Sequence, residues 1–257
     1  MKTLLVLSGG HAYEHKPFGE LLAALGDWEI THLIHPEAEE AVENGAARDA
    51  DAVLFYDMGG YTFADHWVTS RPPSEGFRRA IIERFESGRG AVAMHHALAG
   101  WADWPEWHEM LGGRFLYTPG EVRGKKVLDS GYRHDADYCA QVVTDHPVTT
   151  GLPAQFPVCD ELYLAEVFEG DVEPLIRSDY AFTPGNFYSA ALGISGTLYS
   201  NEGWDHPPAS NLVAWHKLVG AAPLVYLQFG DGSQTYANPH VRQVLANALK
   251  FIAGENP

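Results

Sequence analysis

Apolar and polar positions along the first hundred residues fall in blocks. Thr3 to Ser8 is a continuous apolar run, which fits a strand buried on both faces. After it, Pro17 opens a helix with Leu21, Leu22 and Leu25 on one side, and Gly26 closes it. Glu29 to Ile34 reads as a second strand and Glu37 to Ala47 as a polar, alanine-rich helix. Ala52 to Tyr56 is a third buried strand, ending at Asp57-Met58-Gly59-Gly60. Ser74 caps a helix whose Phe77, Ala80, Ile81 and Phe85 share a face, with Gly88 at its end. Gly90 to Met94 is a fourth strand. This alternation predicts an α/β fold, a mostly parallel sheet with helices on both faces. Ligands in such sheets lie beyond the carboxyl ends of the strands. The loops starting at Ser8, His35, Asp57 and His95 are thereby singled out before any chemistry is considered.

The second half is less regular. Tyr138 to Thr144 and Pro174 to Arg177 read as strands, and Asn211 to Lys217 with Pro223 to Phe229 as a strand pair. Pro239 to Ile252 is a closing amphipathic helix. Asp179 to Ser210, rich in Gly, Ser, Tyr and Pro, is a long excursion of the kind that often carries function. Without a repeat or a linker, residues 1–257 read as one domain.

A formal charge of −17 argues against nucleic acid and anionic membrane as partners. No apolar run approaches the ~20 residues of a membrane span. Leu4 to Leu7, stopped by Ser8-Gly9-Gly10, is too short for a secretion signal. Cys139 and Cys159 read as free thiols. The expectation is a cytoplasmic protein; its oligomeric state stays open, a homo-oligomer included.

There is no GxGxxG, P-loop, HExxH or GxSxG. What stands out is histidine, which carries protons near neutral pH or ligates metals. His11 and His15 fall in the loop after the first strand, and His95 and His96 at the end of the fourth. Neighbours on a strand point to opposite faces, so these last two share a site only if the chain turns into a helix at His96. His32, His35, His66, His108 and His134 read as surface residues. In Asp160-Glu161-Leu162-Tyr163, alternation puts Asp160 on the side of Leu162 and Glu161 on that of Tyr163. Tyr61, Trp101, Tyr199 and Trp204 lie near the same loops and suit the faces of a sugar. Trp104 and Trp107, at helical spacing, read as core. The plainer alternatives are hydrogen-bonded strand-end histidines, a carboxylate cap and an aromatic lid over the core.

Four segments make the chain recognisable. Gly90 to Trp101, Leu111-Gly112-Gly113-Arg114-Phe115, His146 to Leu152 and Asp160-Glu161-Leu162-Tyr163 resemble, in order and spacing, the ThuA-like or trehalose-utilisation family. The resemblance implies a flavodoxin-like, class I glutamine amidotransferase-like fold. Amidotransferases of that fold carry a cysteine at the elbow after the central strand; here His95 takes that place, which argues against glutamine hydrolysis through a thioester. The family is linked to bacterial sugar catabolism, often beside oxidoreductases that form 3-keto sugars. Two segments depart from its pattern. Asp231 follows Gly230 where the family has histidine, and Gly220-Ala221-Ala222-Pro223 replaces a glycine-rich turn.

The leading expectation is therefore an enzyme acting on a sugar or keto-sugar, as an isomerase, lyase or hydrolase. His95, His96, Asp160 and Glu161 are its catalytic candidates. His11, His15, Asp57, Tyr61, Trp101, Tyr163, Trp204 and Asp231 are the candidates for holding the sugar. The alternative is a sugar-binding or regulatory module without turnover. No cofactor follows from a motif. Still, His11, His15, His95, His96, Asp160 and Glu161 offer a mixed nitrogen and oxygen set that suits zinc or manganese better than magnesium.

Overall fold

The computed structural model describes residues 1–255. The first apolar run becomes β1 (Lys2–Gly9), with β2 (Trp28–Ile34) and β3 (Ala52–Asp57) parallel on either side of it. β4 (Ala91–Met94) lies beside β3. The second half adds β5 (Gly131–Val142), β6 (Gln155–Leu164), β7 (Glu173–Ser178), β8 (Leu212–Val219) and β9 (Ala222–Leu227). The sheet runs β6-β5-β7-β8-β9-β4-β3-β1-β2, and the two-residue strand Tyr188–Ser189 pairs with β5. From β9 to β2 it is parallel, as the βα alternation predicts. From β9 back to β6 it is antiparallel.

Helices cover both faces. α1 (His15–Ala23), α7 (Ser233–Ala237) and α8 (Pro239–Ile252) press Phe18, Leu21, Tyr236, Val241, Val244 and Leu245 onto one side. α2 (Glu37–Glu43), α4 (Glu75–Glu86) and α5 (Pro105–Leu111) bring Val42, Phe77, Ile81 and Trp107 to the other. Ser74 caps its helix as the sequence predicts, and Asn238 caps the last one. The Ser74 hydroxyl accepts from the Phe77 amide at 3.1 Å, and Asn238 accepts from His240 and Val241 ahead of Pro239. The helix expected over Glu37–Ala47 breaks into α2 and α3 (Ala46–Asp49), because Gly45 adopts φ +102°.

Three features of the second half shape the ligand edge. First, β7 pairs with β5 only at Ala140–Val142, so the strand expected from Tyr138 begins instead at Gly131 and runs past β7 with β6 as its partner. Second, a bulge sits between Arg133 and Ala136, where two residues of β5 stand opposite Glu161 alone. Asp135 takes the left-handed conformation there, with φ 48°. The bulge changes the side to which even-numbered residues point. Tyr132 pairs with Tyr163 on the cleft side, whereas Ala136, Tyr138 and Ala140 enter the opposite core. Third, the excursion carries α6 (Ala190–Ile194), pinned by Asp129, which accepts from the Ser189 hydroxyl at 2.6 Å and the Ala191 amide at 2.9 Å. An unanticipated hairpin, Tyr61–Ala64 with Trp67–Ser70, reaches it through His66, whose Nδ1 lies 2.9 Å from the Ser195 carbonyl. Among the described residues no helix is long and apolar enough to cross a membrane.

Candidate active site

The parallel strands end together, and β4 ends in an elbow. Met94 is extended, His95 turns into the left-handed region with φ 48°, and a 3-10 helix runs from His95 to Leu98. The turn therefore comes at His95 and brings both imidazoles to one side, with ring centroids 4.4 Å apart. Gly230, at φ +131°, closes over the elbow; a Cβ there would meet the Met94 side chain at 2.5 Å.

His95 is fully buried. Its Nδ1 lies 2.5 Å from the Gln228 carbonyl oxygen, which can only accept, so Nδ1 carries the hydrogen. Nε2 is 3.1 Å from Glu161 Oε2, 2.9 Å from the Tyr163 hydroxyl and 3.8 Å from Asp231 Oδ1. Burial opposes a charge on this ring, but Glu161, Asp160 and Asp231 outweigh it and lift its pKa to about 9. His96 behaves in the opposite way. Burial, then the rings of His11, His95 and His134, hold its pKa well below the ordinary value. It stacks on His11 at 3.5 Å between centroids, and its Nδ1 has no hydrogen-bond partner.

The far oxygen of Glu161, Oε1, lies 3.2 Å from His134 Nδ1. The same nitrogen is 3.9 Å from Asp231 Oδ2. Asp231, above all, raises the pKa of His134, against the cost of burial. The Asp231 carboxyl stays below its ordinary range despite burial, because His134 and His95 face it. An imidazole, a carboxylate and a second imidazole thus form a line from the core to the cleft.

The cleft holds about 340 Å³. His11, His96, His134, Glu161, Tyr163 and Asp231 line its floor, and Tyr117, Tyr132, Tyr199 and Ile194 its walls. Of the residues selected from sequence, the structure brings His95, His96, Glu161, His11, Tyr163 and Asp231 together.

The others do not join them. Asp160 is buried on the far side of β6, as alternation requires, and its pKa is pushed up to about 6 by burial. It accepts from the Gly230 and Asp231 amides at 2.8 and 3.1 Å, so it positions Asp231 without facing the cleft. His15 is exposed at the start of α1, against Tyr13. Asp57 is buried and bound to His35 at 2.9 Å. Tyr61 borders a smaller neighbouring hollow with Arg114. Trp101 is core beneath Gly59, and Trp204 is core against Gly131. Of the histidines read as surface residues, His108 is buried and His35 largely so, and His134 belongs to the cleft. His134, Tyr132 and Tyr117 are the residues the sequence reading missed. A Tyr132-x-His134 alternation was the available signal, hidden because β5 was expected to start after it.

A sheet parallel through one half and flanked by helices, with a left-handed residue at the strand-to-helix elbow and a cleft above it, is a flavodoxin-like fold of the class I glutamine amidotransferase-like type. Solved structures agree. A ThuA-like protein from Parabacteroides merdae is similar with a TM-score of 0.65 at 17% identity, covering 100% of this chain and 91% of that one. A cytoplasmic protein from Salmonella typhimurium gives 0.56 at 12% identity, with 98% of each chain covered. A protein from Thermoplasma acidophilum described as a GMP synthase protein gives 0.51 at 9% identity, covering 99% of this chain and 95% of that one. At such identities the likeness is one of fold. The family model described as trehalose utilisation matches residues 3–252, and the chain belongs to that family, ThuA, whose role is carbohydrate-related. No curated protein matches the sequence.

Proposed function

We propose that this chain is an enzyme that moves a proton on the carbon next to the carbonyl of a keto-sugar. The observation that carries the proposal is the Glu161 carboxylate held between buried His95 and cleft-facing His134. A carbonyl acidifies the C–H beside it. His134, oriented by Glu161 and Asp231 and made more basic by them, takes that proton in its unprotonated form as general base, and the electron pair moves onto the carbonyl oxygen as an enolate. The Tyr163 hydroxyl, 2.9 Å from His95, is a donor beside that oxygen. Return of the proton to the same face exchanges it with solvent, and delivery of a proton from water to the opposite face epimerises the carbon. Expulsion of the substituent one carbon further on, protonated by the His134 imidazolium as it leaves, gives elimination. The tyrosine faces suit a sugar ring, and the cleft volume lies within the range of small-ligand sites.

Glutamine hydrolysis has no support here. The elbow carries imidazole, and Cys139 and Cys159 lie in the antiparallel strands β5 and β6. The test is incubation with a panel of 3-keto-glycosides in deuterated water, followed by NMR. Deuterium is expected beside the carbonyl, at a rate ~10²–10⁴-fold lower in His134→Gln. No exchange and no product across the panel would overturn the proposal. Tight sugar binding without exchange would point to a binding module.

A further inference from the structure

We infer that the floor of the cleft is a divalent metal centre, with His95, His96, Glu161 and Asp231 as its protein ligands. A ring nitrogen from each histidine and a carboxylate oxygen from each acid lie within 4.8 Å of one another. Ligands bound at ~2.0–2.2 Å to a tetrahedral ion sit roughly 3.4 Å apart, so small side-chain rotations close the shell.

The tautomer of His95 gives the first argument. Its Nδ1–H goes to the Gln228 carbonyl, so Nε2 is the nitrogen turned to Glu161 and Asp231, and without an ion only a proton on Nε2 stands between those carboxylates. Three electron-rich groups converging on one point need positive charge between them. The Tyr163 hydroxyl can supply one hydrogen to Nε2, but it leaves both carboxylates facing each other. His96 gives the second argument. It is only 9% exposed, its Nδ1 is unpartnered, and the elbow and the His11 stack aim its ring at the same point. A proton satisfies one lone pair, whereas a divalent ion satisfies all four groups.

The surroundings are those of a metal site. Ligand histidines usually give their other N–H to a carbonyl, as His95 does, and ligand carboxylates are themselves hydrogen-bonded. Here His134 holds Glu161, and Asp160 holds the backbone of Asp231. The set differs from the one read from sequence: it takes in Asp231 and leaves out His11, His15 and Asp160. Two nitrogens and two carboxylates suit zinc, manganese or another first-row ion over magnesium and calcium, which prefer all-oxygen shells. An ion there would polarise the substrate carbonyl oxygen, a last step that rests on the proton-transfer reading above; the binding site itself does not.

The experiment uses the full chain without a polyhistidine tag, stripped with dipicolinate and titrated with Zn²⁺ and Co²⁺ by calorimetry and absorption. One ion per chain is expected, with a cobalt spectrum of low coordination number. His96→Gln and Asp231→Asn should each weaken binding at least ~100-fold while circular dichroism stays unchanged, and His15→Gln should bind as wild type. Asp231 is partly exposed, so its variant keeps the test valid if His96→Gln misfolds. Absence of stoichiometric binding, or equal binding by wild type and Asp231→Asn, would overturn the inference. Stripped protein that exchanges deuterium at the full rate would overturn the role of the ion and leave the proton-transfer reading standing. A stoichiometric ion in a chain that never exchanges would leave the centre standing and remove that reading.

Discussion

His108 offers a quantitative test of how the elbow is packed. It lies in α5, the short helix behind the elbow, and is 3% exposed. Neither ring nitrogen closes a hydrogen bond, although the Trp101 and Ala102 carbonyls are nearby. Burial, reinforced by Arg114, pushes its pKa down to about 3. The ring is then neutral in the folded protein down to that pH, whereas an unfolded imidazole takes up a proton near 6.5. Below that point the unfolded state binds more protons, so stability falls with falling pH by ~1.4 kcal/mol per unit until about pH 3. At pH 5 the loss assignable to this one residue is about 2 kcal/mol. His108→Leu removes it. Urea unfolding followed by tryptophan fluorescence at pH 7.5 and 5.0 should show the variant gaining about 2 kcal/mol on wild type over that interval. His11 and His96 are also depressed, so the variant will remain acid-sensitive. The double difference isolates His108. Equal pH dependence in the two proteins would refute the buried, neutral histidine.

Arg84 is a buried charge, donating to the carbonyls of Ala47, Ala50, Asp51 and Gly90. Arg84→Met leaves those acceptors unmet and should cost about 3–5 kcal/mol in chemical denaturation; a loss below about 1 kcal/mol would contradict this account. Glu39 accepts from Arg71 at 2.7 Å and from the Ser74 amide at 2.8 Å, and these bonds, overcoming burial, hold its carboxyl below the ordinary range. Its contribution is full above about pH 4.5 and is lost as pH falls through the folded value, so Glu39→Gln should be less stable at pH 7 and flatter on acidification, as read by urea midpoints. Tyr132→Ala and Tyr199→Ala should each weaken sugar binding by about 1 kcal/mol in calorimetry, whereas Trp204→Phe should leave it unchanged, because Trp204 packs against Gly131 away from the cleft.

The parallel half of the fold was legible because each of its strands is a block of apolar residues closed by a turn. Lys2–Gly9, Ala52–Asp57 and Ala91–Met94 fall within two residues of the positions read from pattern alone. The antiparallel half was harder. β5 mixes Arg133, His134, Asp135 and Asp137 into its cleft end, where one face meets a polar site, so it carries no apolar rhythm. The site divides along the same line. His95, His96, Glu161 and Tyr163 could be read from strand ends and alternation, whereas His134 could not. Trp101, Trp204 and Asp57 misled because sequence proximity to a ligand loop does not tell which side of the loop a side chain takes. Trp101 turns under Gly59, and Asp57 turns back to His35.

The bulge in β5 has a consequence for how this cleft can change over generations. Ala136, Tyr138 and Ala140 are locked in the core, so the segment ahead of them answers to the count of residues in between. A substitution at Asp135 that refuses the left-handed conformation and lets β5 run straight would leave that anchor untouched and turn the upstream segment over. Arg133 would then swing into the cleft in place of Tyr132. An aromatic wall suited to a neutral ring would become a cationic one suited to an acidic sugar, in one mutational step. This strand is therefore where relatives with new substrate preferences would arise by loss of the bulge at constant length, with the buried machinery at the elbow inherited unaltered.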